Sequence, residues 1–401
     1  MEAFITDWVN LLLRWLHVIA AIAWIGESFY FVMLDNGLKP PKAADDKQKG
    51  VFGEMWSVHG GGFYHAQKYL NSPPQMPEDL HWSKWKSYTT WLSGFGLFCA
   101  LYLLQPQTYL IDKTVMDLQP GQAVGLAVAF LIGGWFVYDF LCRMLGKNER
   151  VLGIAVALFV VAATYATTHI FAGRAAFLIV GAMMATSMSA NVFFWIIPGQ
   201  RKSVDALSKG EVPNPIWGKL GKQRSVHNTY FTLPVVFIMI SNHYAFTYSN
   251  PHNWVILSII MAAGAMIRQF FVLRHAGKNL YVLPVAGAAL LAGVAVFAAP
   301  RPAPTPAAGA HGEAVASNVK LSEIQPILTQ RCATCHSAKP TMMGSAPAGV
   351  MFDTPAEISQ NAQRIYQQAV ALKAMPLGNV TQMTDDERQK IAAWFNGGAQ
   401  Q

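Results

Sequence analysis

Runs of about 20 apolar residues, long enough to cross a bilayer as a helix, recur along this chain. They fall at 11–33, 88–104, 123–141, 151–169, 175–197, 228–248, 254–273 and 280–299, the second being the shortest. In hydrocarbon no water satisfies the backbone, so continuous apolar runs of this kind must become helices packed on one another. Composition agrees, with 53% hydrophobic residues and only 13% charged, where soluble domains carry about 25% charged. The expected fold is all-α. A polytopic membrane bundle of about eight spans occupies residues 1–299, a Pro/Ala-rich linker 300–315, and a small soluble helical domain 316–401.

That last domain holds the most specific motif, Cys332-Ala333-Thr334-Cys335-His336. A C-x-x-C-H run is the attachment site of a c-type haem, two thiols forming thioethers and the adjacent imidazole ligating iron. A zinc site would want a second Cys or His pair nearby, and none follows. A thioredoxin-like site would want a βαβ pattern, also absent. Cys99 and Cys142 lie in apolar segments. One covalent haem c is therefore expected, on Cys332, Cys335 and His336. Helices are expected at 321–330 and 356–373. A capping box, Thr384 to Glu387, opens a last helix that buries Ile391, Trp394 and Phe395 and stops at Gly397-Gly398. Met375, before Pro376, is the expected sixth iron ligand. Met342, Met343, Met351 and Met383 are read as packing residues.

Attachment of c-type haem takes place outside the cytoplasm. With eight spans the N-terminus is then outside too. The inside loops at 35–87, 142–150, 198–227 and 274–279 hold 18 Lys and Arg, against 2 in the outside connections at 105–122, 170–174 and 249–253. The positive-inside rule requires this asymmetry. The first apolar segment lacks a basic n-region, so it reads as a retained span and not a cleaved signal. The placement is the bacterial inner (cytoplasmic) membrane, multi-pass, with both the N-terminus and the haem domain in the periplasm. The net charge of +8 resides largely in the inside loops, and no nucleic-acid partner is implied.

Histidines lie at two depths. His17, His169 and His243 fall in the outer half, and His59, His65 and His227 near the inner face. Paired imidazoles in a helical bundle can hold b-type haem, and a lone intramembrane histidine can equally bond a neighbouring helix. Glu27, Asp139 and Arg268 fall in inner halves. They can pair with one another, or bind an ionisable substrate and take up its protons. Asn191 and Asn242 offer amides suited to a planar heterocycle. Gly60-Gly61-Gly62 admits either close backbone approach to a ligand or a flexible turn before an interfacial helix at 65–70.

These residues carry a resemblance. The stretch Trp15-Leu16-His17-Val18 through Ala23-Trp24-Ile25-Gly26-Glu27, the loop Val58-His59-Gly60-Gly61-Gly62-Phe63-Tyr64 and the C-x-x-C-H tail together resemble membrane-bound bacterial urate oxidases of the PuuD type, over essentially the whole chain. The first span is also similar to HemJ-type protoporphyrinogen oxidases, where a first-helix histidine is associated with b-type haem. That adds weight to His17. The resemblance implies oxidation of urate to 5-hydroxyisourate. It also implies that electrons leave through the cytochrome c domain to a respiratory-chain acceptor, a cytochrome c or a terminal oxidase, without peroxide. It names no substrate-binding residue. The residues alone also suit a transporter or copper-handling protein with a cytochrome appendage, or a quinol-oxidising subunit.

Overall fold

The computed structural model describes residues 2–69, 72–275, 277–299, 319–343 and 345–400. The expected linker at 300–315 lies outside them. Each of the eight apolar runs is a helix: α1 (Glu2–Gly37), α2 (Trp85–Phe98), α3 (Pro120–Leu145), α4 (Glu149–Thr168), α5 (Gly173–Asn191), α6 (Pro215–Ser241), α7 (Asn253–His275) and α8 (Val282–Phe297). A π-helical turn, Cys99–Leu103, prolongs α2, and another, Val192–Ile196, carries α5 into Ile197–Ser208. By length and composition α1, α3, α4, α5 and α7 can cross a membrane. Starts are marked chemically. The Asn148 side chain accepts from Arg150 N and Val151 N at the head of α4, and that of Asn214 from Ile216 N at the head of α6, satisfying donors that a helix start leaves open.

Helix α5 is the centre, packing on α2, α3, α4 and α6. Small residues make this possible. A methyl group on Gly181 would fall on Ile238 of α6, and one on Gly134 of α3 would fall on Met183. Where lipid competes for apolar contact, such close approach supplies the packing that holds helices together. Gly264 of α7 likewise admits Pro234, a helix-interior proline of α6. Helix α1 lies at the margin, paired chiefly with α2.

The fold is mostly helical, as expected, and the 51–69 segment is its local departure. Residues 65–69 are not helical. Strands β1 (Val51–His59) and β2 (Gly62–Tyr69) form an antiparallel hairpin with Trp56 opposite His65. Gly60 and Gly61 stand at φ +57° and +79°, as a two-residue type I′ turn requires. The glycines thus set a rigid hairpin.

Residues 319–400 build a separate core. Helices α9 (Leu321–Arg331), α10 (Pro355–Gln360), α11 (Ala362–Ile365) and α12 (Asp385–Asn396) enclose Ile324, Leu328, Ile358, Ile391 and Trp394, all fully buried. The helix expected over 356–373 is broken at Asn361 and continues after α11 as a π-helical segment, Tyr366–Ala371. The Thr384–Glu387 capping box forms as expected.

Candidate active site

Helix α7 carries Arg268 into the bundle, leaving it 3% exposed. Its Nε has no hydrogen-bond partner, and it forms no ion pair with a carboxylate among the described residues. Phe29 of α1 lies under the guanidinium at 5.6 Å. Tyr230 of α6 is an electrostatic neighbour, and its hydroxyl donates to Gln269, the residue after Arg268. Burying a cation without a counter-ion costs several kcal/mol, on the order of the desolvation penalty in real proteins. An arriving anion would remove that cost, and an aromatic face beside the guanidinium suits a flat one. The expected alternative, pairing of Arg268 with Asp139, is not formed.

Asp139 has other partners. Its Oδ1 accepts from Arg224 Nη2 at 2.7 Å and Trp195 Nε1 at 2.8 Å, and its Oδ2 from Arg143 Nε at 2.7 Å. Three donors occupy both oxygens of this carboxylate. The cluster extends inward. Asn191, fully buried, donates through Nδ2 to Tyr138 OH at 3.0 Å and Asn228 Oδ1 at 2.9 Å. Tyr138 OH meets His227 Nδ1 at 2.8 Å. Asn242 is elsewhere, accepting from Arg174 Nε at 3.0 Å. Sequence reasoning missed Arg224, which counts there as one of the inside-loop charges and is 1% exposed in the structure. A signal was present. Positions 138, 139, 142 and 143 of α3 and 223, 224, 227 and 228 of α6 share one spacing, which puts each quartet on one helix face.

Glu27 binds Lys86 Nζ at 2.5 Å and the hydroxyl of Ser83, fastening α1 to the start of α2. The histidines disperse. His17 Nδ1 meets Thr90 O at 2.9 Å and Ser93 Oγ at 3.2 Å. A carbonyl only accepts, so Nδ1 carries the proton and Nε2 keeps a lone pair. Gly94 leaves the space that this ring fills. His169 is exposed, its Nδ1 on Tyr165 O one turn back. His243 is also exposed. His65 pairs with Glu54 at 2.9 Å and stacks on Trp56 within the hairpin. The contacts of each histidine go to different elements. In the bundle, His17 and His169 each tie Nδ1 to a backbone carbonyl and keep Nε2 for another partner, as haem and metal ligands do, and of the two His17 is the part-buried one.

In the C-terminal domain no disulfide joins Cys332 and Cys335. Burial first, and the neighbouring Cys335 second, push the Cys332 thiol up to about 12. Among the described residues no group of three or more His, Cys, Asp or Glu converges to hold a bare metal ion. His336 donates Nδ1–H to Val350 O at 3.0 Å beside Phe352, which leaves Nε2 free. Met375 is tied by its own amide to Gln368 O at 3.0 Å and by its carbonyl to Arg388 Nη1 at 2.8 Å. Met383 is 3% exposed within the apolar core, as a packing residue should be. These donors fit a c-type haem.

Residues 3–299 match a family model described as urate oxidase N-terminal. No curated protein and no solved structure matches.

Proposed function

Because the chain belongs to the urate oxidase N-terminal family, we propose that it is a membrane-bound enzyme that oxidises urate to 5-hydroxyisourate and delivers the electrons to its own haem domain. The observation that carries the reading is Arg268, a buried cation with an unused donor and an aromatic neighbour. Urate is a flat monoanion at neutral pH, so it supplies both the charge and the shape this place lacks. Arg268 would bind its anionic edge through two N–H groups, Phe29 would lie against its face, and the amide of Gln269 would read its N–H and C=O edges. The reaction removes two electrons and two protons while water adds at C5.

The second polar cluster ties α3, α6 and the end of α5 together. Asp139 fixes Arg224 and, through Trp195, the turn that ends α5. Cys332, Cys335, His336 and Met375 would hold the haem c, which when bound accepts electrons singly and passes them to a respiratory acceptor. His17 is the residue best prepared to hold a b-type haem in the bundle. The membrane setting is supported by five long apolar helices, and the placement of the haem domain in the periplasm rests on the eight-span reading and the loop charges.

The test is anaerobic addition of urate to purified protein. The haem c α-band is expected to grow, with a pyridine haemochrome spectrum counting c- and b-type haem. A haem that stays oxidised with urate but reduces with quinol would replace the urate reading by quinol oxidation.

A further inference from the structure

Among the described residues, the haem domain meets the bundle at the connection between α2 and α3. The short helix Pro106–Tyr109, in the connection between α2 and α3, packs against the turn Leu377–Asn379 that follows Met375. Gly378 is a point of close approach. It stands at φ +56°, and a Cβ there would lie 2.6 Å from Ile111 O and 3.6 Å from Thr108 O. Thr108, Leu110 and Ile111 are all buried although they belong to a connecting segment.

Charge is complementary across the seam. The tip of the connection offers carbonyl oxygens and Asp112. Behind the turn stands Arg388, 6% exposed, which donates to Met375 O at 2.8 Å and Asn379 Oδ1 at 3.3 Å. Asp112 and Arg388 are electrostatic neighbours across the seam, as are Tyr109 and Cys335. Inside the bundle Tyr109 continues a row of rings, 5.4 Å to Tyr102 and then 5.7 Å to Phe98 of α2.

We propose that residues 106–112 are a built dock for the haem domain of the same chain, with Gly378 as its contact point. This rests on the haem c reading for its purpose but not for its geometry. The dock holds the ligand loop, Met375 to Asn379, and the attachment thiol Cys335 against the outer end of the ring row. Electrons leaving the bundle would cross there and not by free diffusion of a tethered domain. Glycine is needed twice over, once for φ and once for the missing Cβ.

The two needs can be separated. Asn tolerates positive φ but adds the Cβ, so Gly378→Asn should spare the haem domain and open the seam. Hydrogen exchange of the full-length protein is the first readout. Amides of 105–113 should exchange about tenfold faster in Gly378→Asn, as expected when a local contact worth that factor is lost. Asp112→Lys, on the opposite side, should produce the same change in peptides covering 375–380. Haem content and ascorbate reduction should not change, while urate-driven reduction of the haem should slow by about the same factor. Equal exchange in wild type and both variants overturns the dock. Faster exchange in a protein whose haemochrome spectrum shows no c-type haem would keep the dock and reject the haem reading.

Discussion

Arg268 shows how one side chain can be costly to the fold and useful to the site. Removing a buried cation that forms no ion pair among the described residues should not destabilise the bundle, because its desolvation cost disappears with it. Losing one member of a buried ligand–protein charge pair should cost about 2 kcal/mol or more in transition-state binding, that is about 30-fold or more in kcat/KM. Arg268→Gln is therefore expected to keep or raise the melting temperature while urate turnover falls by that factor, with ascorbate-reducible haem c unchanged. A lower melting temperature together with unchanged kcat/KM would make Arg268 a structural residue. Sequence marked Arg268 as a costly group at membrane depth that could pair with Asp139 or Glu27 or bind an ionisable substrate. It did not show that Asp139 is taken by Arg224, because that pairing joins α3 to α6 across 85 positions.

At the scale of elements, local signals read well and paired ones poorly. The eight bundle helices follow from apolar length, and α12 from its capping box, since both are properties of neighbouring residues. The hairpin β1–β2 was missed because three glycines describe a turn only when strands flank them, and its registry pairs residues from opposite arms. The junction of α9 with α12 gives a second prediction. Arg331 donates from Nε and Nη2 to Glu387 at 3.0 Å. Burial pushes the Glu387 pKa up, but those bonds, with the capping bonds from Thr384, outweigh it and hold the carboxyl below its ordinary 4.5. A carboxyl depressed in the folded state gives stability that is present above its unfolded value and is lost as pH falls through the folded one. The C-terminal domain should thus weaken from about pH 4.5 downward, the unfolded carboxyl range. Arg331→Ala should lower its unfolding free energy by about 1–2 kcal/mol at pH 7, as for a hydrogen-bonded charge, and flatten that acid dependence. Urea melts of the haem band at pH 3.5 and 7 check both points, and an unchanged pH slope in the variant would remove Glu387 from the account.

Across the whole molecule, the proposed substrate place and the proposed electron exit are at opposite ends. Arg268 lies toward the end of α7 and near Phe29 in the last turns of α1, whereas Tyr109 and the haem domain meet at the far ends of α2 and α3. Urate gives up two electrons and a single iron takes one at a time, so the two would leave in successive steps, and a carrier between the ends would split the transfer. His17 stands on the α1–α2 pair that leads to the exit, with Nδ1 spent on Thr90 and Nε2 free. If that nitrogen holds b-type haem, His17→Ala should lose the b-type component of the haemochrome spectrum and keep the c-type one. Urate should then fail to reduce haem c in that variant, while ascorbate, which reaches the haem domain from solution, still does. A full b-type signal in His17→Ala would move the carrier to another histidine. Unchanged urate-driven reduction without any b-type haem would mean that the electrons cross the bundle by some other route.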